Sequence, residues 1–174
     1  MKYDLRVDVF GTVDEANSAI GLARVSTQSM PRLDSILARI QNDLFDLGSD
    51  LATPGADPAG TAPSLRVTAE QAAWLEREID TLNENLAPLT SFVLPGGTPL
   101  AAALHLARTI VRRGERLAFE LAGREPDLNS AALVYLNRLS DLLFVMARVA
   151  NGNGTRDVLW QPGAFTQEPR RLGS

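Results

Sequence analysis

The sequence predicts an all-α protein, a five-helix antiparallel bundle that forms a single domain over residues 1–174. Three observations predict this fold. Apolar residues recur with helical spacing in five long segments, no segment alternates with period two for long enough to form a strand, and most connections are short. With 174 residues, 45% hydrophobic and 22% charged, the chain is long enough to bury one core.

The first helix is predicted over residues 12–29. Thr12 stands at its start as the N-cap, and Glu15 follows as the N3 partner of a capping box. The second helix is predicted over residues 31–52, because Pro31 suits a first helical turn and leucine and isoleucine then recur with a period of 3.6 residues.

Residues 53–67 are predicted to form a mobile loop, since this segment is rich in proline and glycine and offers little apolar surface to fix it. Three further helices follow, each opened by a capping residue, over residues 68–86, 98–122 and 129–151. Residues 152–174 form a tail, and we expect the segment Asn151-Gly-Asn-Gly at its start to be flexible. The apolar residues 158–160 within the tail favour docking of that segment.

The composition excludes several classes of function. The chain has no cysteine, which excludes disulfides, thiolate metal sites and cysteine nucleophiles, and its net charge of −4 argues against a general nucleic-acid binder. We find no apolar signal core at Met1 and no apolar run long enough to span a membrane, and therefore expect a cytoplasmic protein. His105 is the single histidine, so we expect a satisfied helix residue and no metal site built from side chains.

Three arginines of the fourth helix, Arg108, Arg112 and Arg116, are four residues apart and so share one face. Their mutual repulsion requires an anion against them, either carboxylates or a phosphate chain, and spacing alone leaves both open. Asp14 has no role in the capping box. It is therefore free to pair with an arginine of another helix or of another subunit.

Two further groups combine polar and aromatic character. Asn137, Asp141 and Phe144 line one face of the fifth helix, which fits a buried polar network and a ligand site equally well. The loop 92–97 is very apolar, so it either covers the end of the bundle or lines a pocket for a flat hydrophobic ligand.

Together these motifs resemble a known family, the PduO-type ATP:cob(I)alamin adenosyltransferases. The resemblance rests on four segments that occur in the family's order: residues 10–15 (Phe-Gly-Thr-Val-Asp-Glu), 92–97 (Phe-Val-Leu-Pro-Gly-Gly), 108–116 with its Arg-Arg-x-Glu-Arg core, and 136–144 (Leu-Asn-Arg-Leu-Ser-Asp-Leu-Leu-Phe). It implies a ferritin-like five-helix bundle that assembles as a homotrimer with active sites between adjacent subunits. It also implies transfer of the 5′-deoxyadenosyl group from ATP to cob(I)alamin, with release of triphosphate.

The resemblance further implies roles for individual residues on the nucleotide side. Arg112 would contact the ATP phosphates, and Arg108 would pair with Asp14 across the subunit interface. Asn137 would contact the nucleotide, and Glu115 would help to organise its site.

On the corrin side, the resemblance implies that Phe92 and Phe144 press on the lower face of the ring and keep the cobalt free of its axial ligand. Mg²⁺ would be held by the ATP phosphates rather than by side chains. A cobalamin reductase and an adenosylcobalamin-dependent enzyme are the implied protein partners.

The chain departs from the family pattern in one place. Members normally carry a Thr-Gly-Asp-x-Gly-x-Thr loop ahead of the first motif, and this sequence begins at Met1 without one. We expect that this phosphate-binding segment lies outside the sequence. The alternative is a truncated relative that binds ATP weakly, or a cobalamin carrier or chaperone without catalysis.

Overall fold

The computed structural model describes residues 4–55 and 63–165. The described residues form five long helices and one two-stranded sheet. The helices are α1 (Leu5–Arg24), α2 (Pro31–Ala52), α3 (Ala69–Asn83), α4 (Pro99–Arg124) and α5 (Ser130–Ala150), and the strands are β1 (Val93–Leu94) and β2 (Val158–Leu159). The predicted five-helix bundle is confirmed, with the two-stranded sheet as an addition.

The contacts between α1 and α2 show that the two helices are antiparallel. Near the turn that joins them, Arg24 Nε donates to Asp34 Oδ1 at 2.9 Å. Further from the turn on both helices, Asn17 Nδ2 donates to the Gln41 carbonyl at 3.1 Å. From the first contact to the second, the partner on α1 lies earlier in the chain and the partner on α2 lies later by the same number of residues. The two helices therefore run in opposite directions, as in a helical hairpin.

α5 is the core helix of the bundle. In the part of the chain that the structure describes, it is the one helix long and apolar enough to cross a membrane. Most of its leucines are instead buried, the helix packs mainly against α3 and α4, and the charged Arg148 near its end is also buried. Burial on several sides explains why this helix is so apolar.

The start of α1 differs from the prediction. The helix begins at Leu5, where Asp4 is the N-cap and accepts from Arg6 N at 2.9 Å. Thr12 is buried inside the helix, and its hydroxyl donates to the Asp8 carbonyl at 2.7 Å. The capping box predicted at Thr12 and Glu15 is therefore wrong, and so is the helix end at residue 29.

The other helix starts are confirmed. Thr68 and Gln71 form the predicted capping box, in which Thr68 N donates to Gln71 Oε1 at 2.9 Å. Thr98 caps α4 by accepting from the Ala101 N–H at 3.2 Å, and Asn129 caps α5 in the same way.

The loop between α2 and α3 is held at both ends by Asp50, whose side chain is only 1% exposed. Its carboxylate accepts from Arg66 Nη1 at 2.9 Å and from Val67 N at 2.8 Å. Asn129 Nδ2 adds a third bond to the same carboxylate at 2.6 Å. The flanks of the predicted mobile loop are thus tied to α2 and α5, while its middle, residues 56–62, lies outside the described residues.

Candidate active site

The first motif lies beside the arginine face of α4 because α1 and α4 approach closely at Gly114. A Cβ at this position would lie 3.4 Å from Thr12 Cγ2, which leaves little room for a larger side chain. One turn further along α1, the Glu15 carboxylate accepts from Arg113. The sequence motifs that begin at Phe10 and at Arg108 are therefore neighbours in the fold.

The arginines of α4 lie in different environments. Arg112 and Arg116 are exposed, whereas Arg108 is half-buried and its Nε is fully buried, with no hydrogen-bond partner among the described residues. Burial lowers the pKa of Arg108 from its ordinary value, and the nearby charge of Arg112 lowers it further. Because a guanidinium remains charged in proteins, the Arg108 charge lacks a balancing anion within the part of the chain that the structure describes.

Asp14 does not supply that anion within the same chain. It is exposed on α1 and lines a groove of about 250 Å³ between α1 and α2, together with Phe10 and Phe45. The ion pair with Arg108 was expected between subunits, and it stays a prediction.

The candidate site residues of α4 and α5 meet along the seam between the two helices. Asn137 Nδ2 donates to Glu115 Oε1 at 2.7 Å. Further along, the His105 and Phe144 rings meet edge to face, with centroids 6.1 Å apart. At a rise of 1.5 Å per residue, these two contacts are about 15 Å apart along α4. The seam thus has a polar end and an aromatic end.

An open groove of about 410 Å³ lies at the aromatic end. It brings together Phe144 from α5 and Phe92 from the loop before α4, and the contact of these two residues with a corrin stays a prediction. Phe92 is 76% exposed, which is unusual for a large aromatic side chain. Of the two alternatives for the loop 92–97, the structure favours the pocket lining.

His105 differs from expectation. It is 1% exposed, and among the described residues neither ring nitrogen has a hydrogen-bond partner, so the expectation of a satisfied histidine is wrong. Burial lowers the pKa of His105, and the charge of Arg108 lowers it further, while Asp157 acts in the opposite direction. The ring is thus kept neutral behind Phe144. No group of three or more potential metal ligands occurs in the described ranges.

The C-terminal segment belongs to this end of the molecule, which the sequence did not reveal. Arg148 Nε donates to Asp157 Oδ2 at 2.9 Å, and both side chains are over nine-tenths buried. Arg148 Nη2 also donates to the Ala87 carbonyl at 2.9 Å. Asn151, which is fully buried, accepts from Thr98 N at 2.9 Å. The flexibility expected for the segment Asn151-Gly-Asn-Gly is therefore wrong, because hydrogen bonds to residues of other elements fix the turn.

Beyond this turn, β2 pairs with β1 in an antiparallel ladder, with Val93 opposite Leu159. The docking expected for residues 158–160 is confirmed. In the sequence, the only local signal for this docking was the apolar character of residues 158–160. The Arg148–Asp157 ion pair that holds the segment could not be seen there, because its two residues lie on different elements.

Comparison with known proteins supports the same assignment. The family model described as Cobalamin adenosyltransferase matches residues 1–150. A corrinoid adenosyltransferase of Mycobacterium leprae is 49% identical over 166 residues, which cover 93% of this chain and 85% of that protein. A corrinoid adenosyltransferase of Bacillus subtilis is 39% identical, with 97% and 86% covered.

Solved structures agree with the sequence relatives. A phenylalanine-to-alanine variant of the PduO-type ATP:corrinoid adenosyltransferase from Lactobacillus reuteri, complexed with cobalamin and ATP, superposes with a TM-score of 0.83 at 41% identity. The match covers 92% of this chain and 88% of that one. An arginine-to-lysine variant of the same enzyme complexed with ATP gives a TM-score of 0.81 at 40% identity, with 92% and 90% covered. The fold and enzyme class predicted from the motifs are thereby confirmed, and the chain belongs to the PduO-type cobalamin adenosyltransferase family.

Proposed function

We propose that this protein transfers the 5′-deoxyadenosyl group of ATP to the cobalt of cob(I)alamin, giving adenosylcobalamin and triphosphate. The observation that carries the proposal is the groove in which Phe92 and Phe144, from distant parts of the chain, form one apolar wall. The groove lies at one end of the α4–α5 seam, and the Glu115–Asn137 pair lies toward the other end. This separation leaves room for a corrin and a nucleotide side by side.

The reaction asks for positioning and charge stabilisation rather than for a protein nucleophile. Co(I) donates an electron pair to C5′ of ATP, the Co–C bond forms, and the C5′–O bond breaks so that triphosphate leaves with the bonding pair. The absence of cysteine and the single, buried histidine are compatible with this chemistry. What remains for the protein is in-line alignment and cations near the departing phosphates.

Arg112 is the proposed phosphate ligand, because it is exposed on the arginine face of α4 and a guanidinium fork suits phosphate oxygens. Mg²⁺ would share the triphosphate charge, held mainly by phosphate oxygens. The half-buried Asn137 and Glu115 together carry both donors and acceptors for the nucleotide.

The corrin would lie with its lower face on Phe92 and Phe144. An apolar wall there excludes water and a nitrogen base from the lower axial position of cobalt. Removal of that ligand favours the four-coordinate Co(II) state, which accepts an electron more easily than the five-coordinate state. The wall thus prepares the substrate for reduction as well as binding it.

The site is proposed to be completed in a homotrimer. Its support is electrostatic: the buried Nε of Arg108 has no partner among the described residues, and Asp14 is an exposed carboxylate on another helix. Pairing between adjacent copies would satisfy both groups. We place the trimer in the cytoplasm, where a reductase would supply cob(I)alamin and an adenosylcobalamin-dependent enzyme would receive the product.

The test is anaerobic. The protein is mixed with chemically reduced cob(I)alamin and Mg-ATP, and the loss of the Co(I) absorbance is followed together with adenosylcobalamin formation. Catalytic product supports the transferase. Cobalamin binding without product, and without thermal stabilisation by ATP, would point to the carrier instead, because a specific ligand at 100 times its dissociation constant adds about 2.7 kcal/mol to stability.

A further inference from the structure

The geometry points to Trp160, the residue that follows β2, as a positioning residue for Phe92: it holds the Phe92 ring in place against the lower face of the corrin. This role rests on the activity proposed above. It concerns the step before adenosyl transfer, in which Co(II) loses its lower ligand and takes up one electron from a reductant.

Three contacts join Trp160 to the Phe92 loop. Trp160 N donates to the Phe92 carbonyl at 2.8 Å, and Ser91 Oγ donates to the Trp160 carbonyl at 2.7 Å. The two rings meet edge to face, with centroids 5.9 Å apart and planes at 60°. The contacts therefore fix both the backbone of the loop and the direction of the Phe92 ring.

Phe92 needs such support because of where it lies. Its side chain is 76% exposed and is carried by a loop, whereas its counterpart Phe144 is fixed on α5. An exposed side chain on a loop gains little from core packing and retains much of its rotamer freedom. A ring contact to Trp160 reduces that freedom before the corrin arrives.

Contacts with the end of α5 hold the chain around Trp160 in place. The buried Arg148–Asp157 ion pair fixes the chain three residues before it, and Arg148 also binds the Ala87 carbonyl at the other side of the loop. Loop and strand are thus both attached to the end of α5. Trp160 therefore has a defined position relative to Phe144. Because Trp160 contacts Phe92, the position of Phe92 relative to Phe144 is defined as well.

The first test compares Trp160→Ala, Trp160→Phe and the control Trp74→Phe, which alters the only other tryptophan, stacked on Arg39 at 3.9 Å. Each protein is loaded with cob(II)alamin and ATP, and the ratio of four- to five-coordinate Co(II) is measured by electron paramagnetic resonance. We expect Trp160→Ala to lower this ratio about three- to tenfold, the value of one aromatic pair. Trp160→Phe should retain most of it, and Trp74→Phe should match the unaltered protein.

The rate from preformed cob(I)alamin separates this inference from the proposed activity. Trp160→Ala should keep that rate within about twofold, because Co(I) needs no further reduction. An unaltered ratio in Trp160→Ala, or equal losses from Co(I) and Co(II), would overturn the role of Trp160. Failure of the unaltered protein to form product from cob(I)alamin would instead refute the transferase.

A second measurement needs no cobalamin. In the Trp74→Phe background, Trp160 is the single fluorophore, and Phe92→Ala should increase acrylamide quenching of its emission because the ring that covers it is gone. Leu106→Ala, which alters an exposed residue on α4, should leave the quenching unchanged and serves as the control. Equal quenching with and without the Phe92 ring would show that the two side chains do not support each other.

Discussion

Removal of the Asp157 carboxylate should destabilise the protein more than removal of any exposed carboxylate. Asp157 is 3% exposed and accepts two hydrogen bonds, from Arg148 Nε at 2.9 Å and from Asn151 Nδ2 at 3.1 Å. Asp157→Ala leaves the Arg148 guanidinium, itself 8% exposed, with the Ala87 carbonyl as a neutral partner. Loss of one member of a buried ion pair costs about 3–5 kcal/mol.

The assay is calorimetry at a fixed protein concentration, because assembly would make the transition concentration-dependent. For a chain of this length, about 3–5 kcal/mol corresponds to a decrease in Tm of roughly 6–20 °C. The control is Glu120→Ala, which breaks the Arg124–Glu120 pair on the surface of α4, where both side chains are more than half exposed. This variant should lose less than about 1 kcal/mol.

Hydrogen exchange shows whether the loss is local. If the C-terminal segment opens on its own, the Trp160 amide, bonded to the Phe92 carbonyl, should exchange roughly 10²- to 10³-fold faster or more in Asp157→Ala while the amides of α2 are unchanged. The double variant Arg148→Met/Asp157→Leu should recover most of the stability, since no buried charge remains. The reasoning fails if Asp157→Ala changes neither Tm nor Trp160 exchange more than Glu120→Ala does.

Three further outcomes are expected. Arg112→Ala should lower turnover by about 10²–10³-fold, as loss of a transition-state donor does, while light scattering still shows the trimer. The control Arg124→Ala should keep turnover near normal. Near-normal turnover in Arg112→Ala would refute the proposed role of Arg112 as a phosphate ligand. Phe92→Ala should slow the reaction from cob(II)alamin more than that from cob(I)alamin, and equal losses from the two starting states would contradict the axial-ligand role. The folded pKa of His105 is below its ordinary value of 6.5, so its contribution to stability is complete above pH 6.5 and is lost as the pH falls below it, because the unfolded chain takes up the proton first. Since the chain has one histidine, His105→Gln should flatten the dependence of the urea midpoint between pH 7.5 and 5.5, and an equally steep dependence in that variant would exclude His105 as its source.

The sequence predicted the parts of the fold that depend on local patterns. α2, α4 and α5 carry regular apolar stripes, and each begins within one residue of its predicted start, with a proline in the first turn of α2 and a capping side chain at the start of α4 and α5. The start of α1 was misjudged because Thr12 and Glu15 match a capping box by spacing alone. Capping requires backbone N–H groups that are free, and those near Thr12 are already bonded within a helix that starts at Leu5.

The fold brings together residues that the family motifs name, and their roles at the site stay predictions. The groove does join Phe92 to Phe144, and Asn137 does contact Glu115. The support from Arg148 and Asp157 could not be predicted, because an arginine in a helix and an aspartate in a following turn are ordinary surface residues by type. Only the fold shows that both are buried and paired.

The positions along α5 suggest how the two substrates are aligned. Asn137, Phe144 and Arg148 are separated by seven and four residues, so they lie on one face of the helix, while the buried leucines of its other faces hold that helix in the core. The proposed nucleotide contact, the proposed corrin wall and the anchor of the C-terminal segment thus share one rigid element, which suits a reaction whose rate depends on alignment. Phe92 is the one proposed substrate contact carried by a loop, and it is the one that the fold supplies with a second aromatic ring. Its dependence on Trp160 follows from that difference: a helix fixes Phe144 by itself, and the loop requires the strand.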